Sequence, residues 1–318
     1  MTARLKLVIY AEEEDASVYT AVASPYSQVE TRIENSTEGF IQAVQDADIA
    51  CMARKYDKRW ILGATQLKWL HVGGTGIDRL LPLDDLKPDL VISNTPGLNA
   101  EMMADYVLCT LLMLTWNFPR LWRNQMAGKW ERWGVERVEG KVLVLVGVGN
   151  IGRAITRRAG LLALRVIGVK RSPQPVPGVE RVVGIDQLHP VLREADYVVL
   201  AVPLTNDTRG LIGRRELEAM KASACLINIS RGSIVQEQAL IAALKAGDIA
   251  GAALDVFETE PLAPESELWK LENVILTPHL SSWSKDYRMR AADIFGVNLD
   301  RYLSGQPLAH VIDREKDY

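Results

Sequence analysis

The sequence predicts a parallel α/β protein of two domains, and three observations carry that expectation. The chain has 318 residues, enough for two domains with separate cores. Short aliphatic and β-branched runs alternate with helical apolar patterns along most of it. At residues 141–152, Lys141-Val-Leu-Val-Leu-Val-Gly147-Val-Gly149-Asn150-Ile151-Gly152, one such run breaks into glycines spaced G-x-G-x-x-G. A net charge of −3 gives no electrostatic reason to expect nucleic acid or an acidic membrane as a partner.

The elements follow in order. Residues 6–10 read as a first strand, whose apolar run stops at Glu12, Glu13, Glu14 and Asp15, so no secretory signal fits. A helical stretch at 36–44 and strands at 48–52, 69–72 and 90–93 predict a parallel sheet in the first hundred residues. Residues 100–114 carry a helical apolar pattern and are expected to lead from the first domain into the second. The apolar stretch 107–116 is too short to cross a bilayer. Residues 116–140 hold Trp116, Trp122, Trp130 and Trp133 beside Phe118 and several arginines. So much aromatic and cationic surface outside a periodic core suggests an intersubunit arm, the alternative being a cap on the protein's own domain. Strands at 142–146, 166–169, 197–202, 226–229, 252–256 and 274–277 then repeat at the rhythm of a doubly wound sheet. A helical tail from about 284 is long enough to return to the first domain, which would comprise 1–99 plus 285–318, with 100–284 as the second. Cys51, Cys109 and Cys225 lie far apart among apolar neighbours. They read as buried thiols of a reducing, cytoplasmic compartment, with no metal-ligand spacing.

The glycine turn has a specific physical reading. Gly147 lets the backbone leave the strand sharply, Gly149 removes the side chain that would keep a pyrophosphate from the main chain, and Gly152 lets the next helix pack close. The helix start at Asn150 and Ile151 offers free N–H groups to an anion. A strand before the turn and a βαβ unit after it point to a dinucleotide.

The last four strands run into Pro203-Leu-Thr-Asn-Asp-Thr208, Ser230-Arg231-Gly, Phe257-Glu-Thr-Glu260-Pro and Pro278-His279-Leu-Ser-Ser. In an open parallel sheet these strand ends share one rim, where ligands bind. Of the four histidines, His71 and His310 sit in apolar patterns and read as structural, and His189 lies in an expected loop. His279 follows a strand directly. Moving a hydride to or from an oxygen-bearing carbon requires a proton moved on that oxygen, and histidine suits this near neutral pH. Glu260 would favour the imidazolium and fix the ring, and Arg231 would fork onto a substrate carboxylate while polarising its carbonyl.

Gly147-Val-Gly-Asn-Ile-Gly152-Arg153, Asn228-Ile-Ser-Arg231-Gly-Ser-Ile-Val, Asp255-Val-Phe-Glu-Thr-Glu260-Pro-Leu and Thr277-Pro-His279 together resemble the D-isomer-specific 2-hydroxyacid dehydrogenases, over nearly the whole chain. The resemblance implies two flavodoxin/Rossmann-like domains with parallel sheets, an active-site cleft between them, a homodimer, and reversible reduction of a 2-oxoacid to a D-2-hydroxyacid. It makes Arg231 the substrate-binding arginine, His279 the acid/base and Glu260 its partner. Asp255 resembles the aspartate near the nicotinamide carboxamide. Arg153 is placed for the pyrophosphate, and Val202, Pro203 and Thr208 are assigned to the cofactor. His71-Val-Gly-Gly-Thr75-Gly76 resembles the loop whose amides hold the substrate carboxylate, so Thr75 and Gly76 are expected there.

Two departures from the pattern matter. Where an NAD-preferring member places an acid after its second strand, this chain reads Lys170-Arg171-Ser172. That cluster predicts NADP(H) preference, with NAD(H) possible. Trp283 stands where many members carry small residues, and either lines the substrate mouth or seals a partner's arm. Arg54 either faces the substrate side chain or is solvated. The expectation is a cytoplasmic NADPH-dependent reductase of a small 2-oxoacid, glyoxylate or hydroxypyruvate first. The alternatives are a phosphoglycerate dehydrogenase-like enzyme, although the 318 residues leave no room for a regulatory domain; a phosphite-oxidising enzyme; or a non-catalytic NAD(P)-sensing protein of the same fold.

Overall fold

The computed structural model describes residues 4–315, and the chain divides into two compact units, Met1–Leu98 with Ser284–Tyr318 and Asn99–Trp283. Unit 1 opens with β1 (Leu5–Tyr10), α1 (Glu13–Ala23), β2 (Val29–Glu34), α2 (Thr37–Ala43), β3 (Ile49–Met52), β4 (Trp69–Val72) and β5 (Val91–Ser93). Its described sheet runs β2-β1-β3-β4-β5 with every pair parallel. Residues Leu7 to Tyr10, all of β3 and all of β4 are buried, as strands covered on both faces require, and they read as unbroken apolar runs for that reason. The Ser36 side chain accepts the Gly39 N–H and starts α2.

The sequence reading missed α1 and β2. The buried face of α1, Asp15, Tyr19 and Ala23, keeps helical spacing but includes a charged residue and a small one, so its apolar signal is weak. The edge strand β2, Val-Glu-Thr-Arg-Ile-Glu, keeps charged side chains in water, which discourages pairing with another chain but hides the strand.

Unit 2 contains α3 (Ala100–Thr115), α4 (Phe118–Met126), β6 (Val142–Val146), α5 (Asn150–Leu161), β7 (Arg165–Val169), β8 (Arg181–Val183), α6 (Leu188–Glu194), β9 (Tyr197–Leu200), α7 (Arg214–Ala219), β10 (Cys225–Asn228), α8 (Glu237–Ala246), β11 (Gly251–Leu254) and β12 (Val274–Leu276). Its sheet order is β12-β11-β10-β9-β6-β7-β8, all parallel. The three-residue edge strand β8 had no counterpart in the sequence reading. α3 starts at the boundary but belongs wholly to unit 2, where Met103, Ala104, Val107 and Leu111 pack with Leu143 and Leu145 of β6. Beyond it, Trp116, Trp122, Met126 and Trp130 are exposed, while the Arg120 guanidinium lies 4.4 Å over the Trp133 ring. These tryptophans therefore do not cap their own unit's core.

The chain returns to unit 1 as α9 (Tyr287–Leu303), whose Ala292, Phe295 and Leu299 complete a core with Leu7, Ile9 and Trp69. Phe295 stacks on Trp69 with ring centroids 5.5 Å apart, and deleting so large a buried side chain costs about 3–5 kcal/mol in general.

Three local expectations need correction. Cys51 and Cys225 are buried, but Cys109 is exposed, because residues 107, 108 and 111 take the inward face of α3 and 109 turns away. His189 lies within α6 and bonds Glu216 at 2.8 Å. His310 is an exposed turn residue with φ +58°. No helix among the described residues is long and apolar enough to cross a membrane.

Candidate functional site

In unit 2 the sheet reverses direction at β6, whose neighbours are β9 on one side and β7 on the other, and the glycine turn leaves β6 at that point. Gly147 has φ +100°, and a Cβ there would lie 2.4 Å from the Ala201 carbonyl oxygen. A Cβ on Gly152 would lie 2.3 Å from the Gly147 oxygen, so α5 sits as close to the strand as a backbone allows. Gly149, the N-cap of α5, has no heavy atom within 4 Å of its Cβ position, and the first turn, through Asn150, Ile151 and Gly152, contains no acid. An open cradle against helical N–H groups fits the pyrophosphate of a dinucleotide.

The other expected cofactor residues stand around this turn. Arg153 is exposed on the first turn of α5, and its N–H bonds the Gly149 oxygen. Lys170 is half-buried and follows β7 directly, Arg171 and Ser172 are exposed, and Arg171 meets Asp207 at 3.5 Å. Ser230 Oγ donates to the Val202 oxygen. Thr208 Oγ1 donates to the Pro203 oxygen at 2.6 Å and accepts the Thr205 N–H at 2.8 Å, bracing its own turn.

Arg231, Glu260 and His279 follow β10, β11 and β12, three neighbouring strands. His279 Nδ1 lies 2.8 Å from Glu260 Oε2. The other carboxylate oxygen accepts the Phe257 N–H at 3.1 Å. Burial pushes the Glu260 carboxyl up, but the His279 hydrogen bond, the Phe257 N–H and the charges of His279 and Arg231 outweigh it and hold the group below its ordinary value. The Asn228 side chain orders the arginine's loop by donating to the Arg231 carbonyl at 3.0 Å and accepting the Ser230 N–H at 3.0 Å. At Gly232 a Cβ would come within 1.8 Å of the Phe257 carbonyl carbon, so only glycine lets the Arg231 loop lie against the stretch that carries Glu260.

Asp255 is fully buried and has a local task that the sequence reading missed. Its carboxylate accepts Thr277 Oγ1 at 2.7 Å and the N–H groups of Leu280 and Ser281 at 2.9 and 3.0 Å. These bonds bend the loop around His279, which has a φ of +51°, a left-handed conformation costly for a residue with a Cβ.

In unit 1, β4 is followed by Gly73, Gly74, Thr75 and Gly76. A Cβ on Gly73 would lie 2.1 Å from the Ala53 oxygen. Thr75 Oγ1 donates to the Thr95 oxygen at 2.9 Å. Among the described residues no hydrogen bond is made by the N–H groups of Gly74, Thr75 or Gly76. Arg54, one strand away, meets Glu12 at 3.5 Å and Asp15 at 3.7 Å. His71 is fully buried inside β4, bonds Ser93 Oγ at 2.9 Å, and is held neutral by burial, its pKa lowered to about 3. Trp283, the last residue of unit 2, is exposed.

Comparison with known proteins follows the same outline. The family model of the D-isomer specific 2-hydroxyacid dehydrogenase NAD binding domain matches residues 108–281. A glyoxylate reductase of Pyrococcus horikoshii is 36% identical over 279 residues, 85% of this chain and 83% of that protein. The structure of a D-isomer specific 2-hydroxyacid dehydrogenase from Xanthobacter autotrophicus, in complex with NADPH and MES, is 30% identical with a TM-score of 0.87, covering 99% of this chain and 100% of that one. An NADPH-dependent glyoxylate/hydroxypyruvate reductase from Sinorhizobium meliloti, in complex with NADP and sulfate, is 25% identical with a TM-score of 0.87 over 99% and 100%. The strand ends and glycine turn described above are thus those of a known lineage, and the chain belongs to the D-isomer specific 2-hydroxyacid dehydrogenase family of NAD(P)-dependent oxidoreductases.

Proposed function

We propose that the protein reduces a small 2-oxoacid, glyoxylate and hydroxypyruvate being the first to try, to the D-2-hydroxyacid with NADPH. The observation that carries this reading is the His279–Glu260 pair, with Arg231 on the adjacent strand end. Nδ1 faces the carboxylate, so Nε2 is the nitrogen that delivers a proton to the substrate's carbonyl oxygen. Glu260 stays ionised and fixes the ring through its bond to Nδ1. Arg231 binds the carboxylate of the oxoacid and polarises the neighbouring carbonyl. The N–H groups of Thr75 and Gly76 give that carboxylate further donors. When bound, the reduced nicotinamide supplies the hydride.

In this reading unit 1, with boundaries near 1–99 and 285–318, handles the substrate, and unit 2 handles the coenzyme. Gly147, Gly149, Asn150, Ile151, Gly152 and Arg153 take the pyrophosphate, Val202, Pro203 and Thr208 flank the dinucleotide, and Asp255 stands nearest the nicotinamide. Lys170, Arg171 and Ser172 receive the 2′-phosphate, a choice supported by the NADPH and NADP named with the Xanthobacter and Sinorhizobium structures. The exposed Trp116, Trp122, Met126 and Trp130 give unit 2 an apolar face suited to a second copy in a homodimer, and the free thiols suit the cytoplasm.

The test is a panel of 2-oxoacids assayed with NADPH, for the wild type and for Arg231→Ala and His279→Ala. Each substitution is expected to lower kcat/KM by about 100- to 10,000-fold with the coenzyme Kd unchanged. Turnover near wild type in either variant would contradict the assigned chemistry.

A further inference from the structure

The N–H groups of Gly74, Thr75 and Gly76 are successive donors of the kind that bind an anion, provided that all three point to one place. A trans peptide is planar with its C=O and N–H opposed, so whatever holds one carbonyl aims the next residue's N–H. In unit 1 each of the three peptides is held this way. The Tyr287 hydroxyl donates to the Gly73 oxygen at 2.8 Å, the Thr95 N–H to the Gly74 oxygen at 3.2 Å, and the Asn94 side-chain amide to the Thr75 oxygen at 2.6 Å. Thr95 Oγ1 adds a longer bond to the Gly73 oxygen at 3.2 Å.

Asn94 and Thr95 come from the strand end beside the loop, after β5. Tyr287 comes from 214 residues away in the chain, as the first residue of α9. That helix start is itself anchored. Arg288 pairs with Glu14 and, at 2.9 Å, with the buried Asp15, and Arg290 donates to the Leu98 oxygen at 2.6 Å.

We infer that Tyr287 is a positioning residue for the substrate: its hydroxyl, by holding the Gly73 carbonyl, aims the Gly74 N–H at the carboxylate of the 2-oxoacid. This rests on the proposed role of the 74–76 loop. The consequence is a substrate-binding effect, because a carboxylate is present equally in the ground and transition states, so its loss raises KM and leaves kcat.

Two variants separate the inference from the reading beneath it. Tyr287→Phe keeps the ring and removes the hydroxyl. It is expected to raise KM for glyoxylate and hydroxypyruvate about fivefold, the worth of one neutral hydrogen bond, with kcat within about twofold and the NADPH Kd unchanged. Gly74→Ala tests the loop itself, since the new methyl group meets no protein atom within 4 Å yet stands beside the donors. It too is expected to raise KM for the oxoacids. If Gly74→Ala raises KM and Tyr287→Phe does not, the inference is overturned and the carboxylate site survives. If neither raises it, the loop is not the carboxylate site and both fall. If Tyr287→Phe weakens NADPH as much as the oxoacid, its role is general stability and the inference is overturned.

Discussion

The two units share one topological device and furnish its helix start differently. In unit 1 the sheet reverses at β1, between β2 and β3, and in unit 2 it reverses at β6, between β9 and β7. Each first strand feeds a helix whose N-terminal N–H groups favour an anion. Unit 1 builds its anions in: α1 opens on Glu13, Glu14 and Asp15 after Glu12, and Arg54, Lys55 and Arg288 pair with Glu12, Glu14 and Asp15. Unit 2 has no acid in the first turn of α5 and open space at Gly149, so no side chain of its own fills that place. Topology provides a crevice in both; the residues at the helix start decide which one has room for an anion from outside.

The strongest way to break that contrast is to give unit 2 a carboxylate where unit 1 has one. Gly149 has φ −85° and no neighbour near its Cβ position, so Gly149→Asp fits the fold and provides an N-cap side chain. It is expected to weaken NADPH binding by about a thousandfold, since like charges set against each other cost several kcal/mol, while the thermal midpoint holds or rises. Calorimetric titration and a melting curve measure the two. A variant that binds NADPH normally would mean that the pyrophosphate lies elsewhere.

A second contrast concerns acid. Unit 1 buries His71 completely, whereas His189 and His279 of unit 2 are partly exposed. The His71 pKa is depressed from 6.5 to about 3 by burial and, less, by His310, so between those values the unfolded chain binds a proton that the folded chain refuses. Its contribution to stability is complete above about pH 6.5 and falls as the pH falls toward 3. By about pH 4.5 the loss amounts to about 3 kcal/mol. Hydrogen exchange at pH 7 and about pH 4.5 should show unit 1 opening first. In urea titrations His71→Asn, which has no ring to protonate, should lose that part of the pH slope. Equal slopes in the variant and the wild type would contradict the assignment.

Both contrasts were partly visible before the structure. The glycine turn, the strands buried on both faces and the rim residues Arg231, Glu260 and His279 were legible because each depends on a local pattern: a run, a turn, a residue just after a strand. α1, β2 and β8 were not, because their exposed surfaces mix polar and apolar residues without a clear period. Nor was the support of the site. Asp255 holds the His279 loop through Leu280 and Ser281, Gly232 makes room for Phe257, and Tyr287 reaches Gly73. Those partners lie 25 to 214 residues apart in the chain and meet only once the sheets have formed. The position of Arg171 after β7 is plain in the sequence, but the approach of Asp207 to it comes only with the fold. That exposed pair is weak at 3.5 Å, and a bound phosphate would compete with it.

The central claim is that the helix start and strand end of unit 2 are left for the phosphorylated coenzyme, and the ratio of kcat/KM with NADPH to that with NADH, at saturating glyoxylate, tests it most directly. The wild type is expected to favour NADPH, and Arg171→Ala is expected to reduce the ratio by about tenfold, the worth of a charge-assisted contact to phosphate, mainly through KM for NADPH. A wild type that favours NADH, with a ratio unchanged in Arg171→Ala, would contradict it.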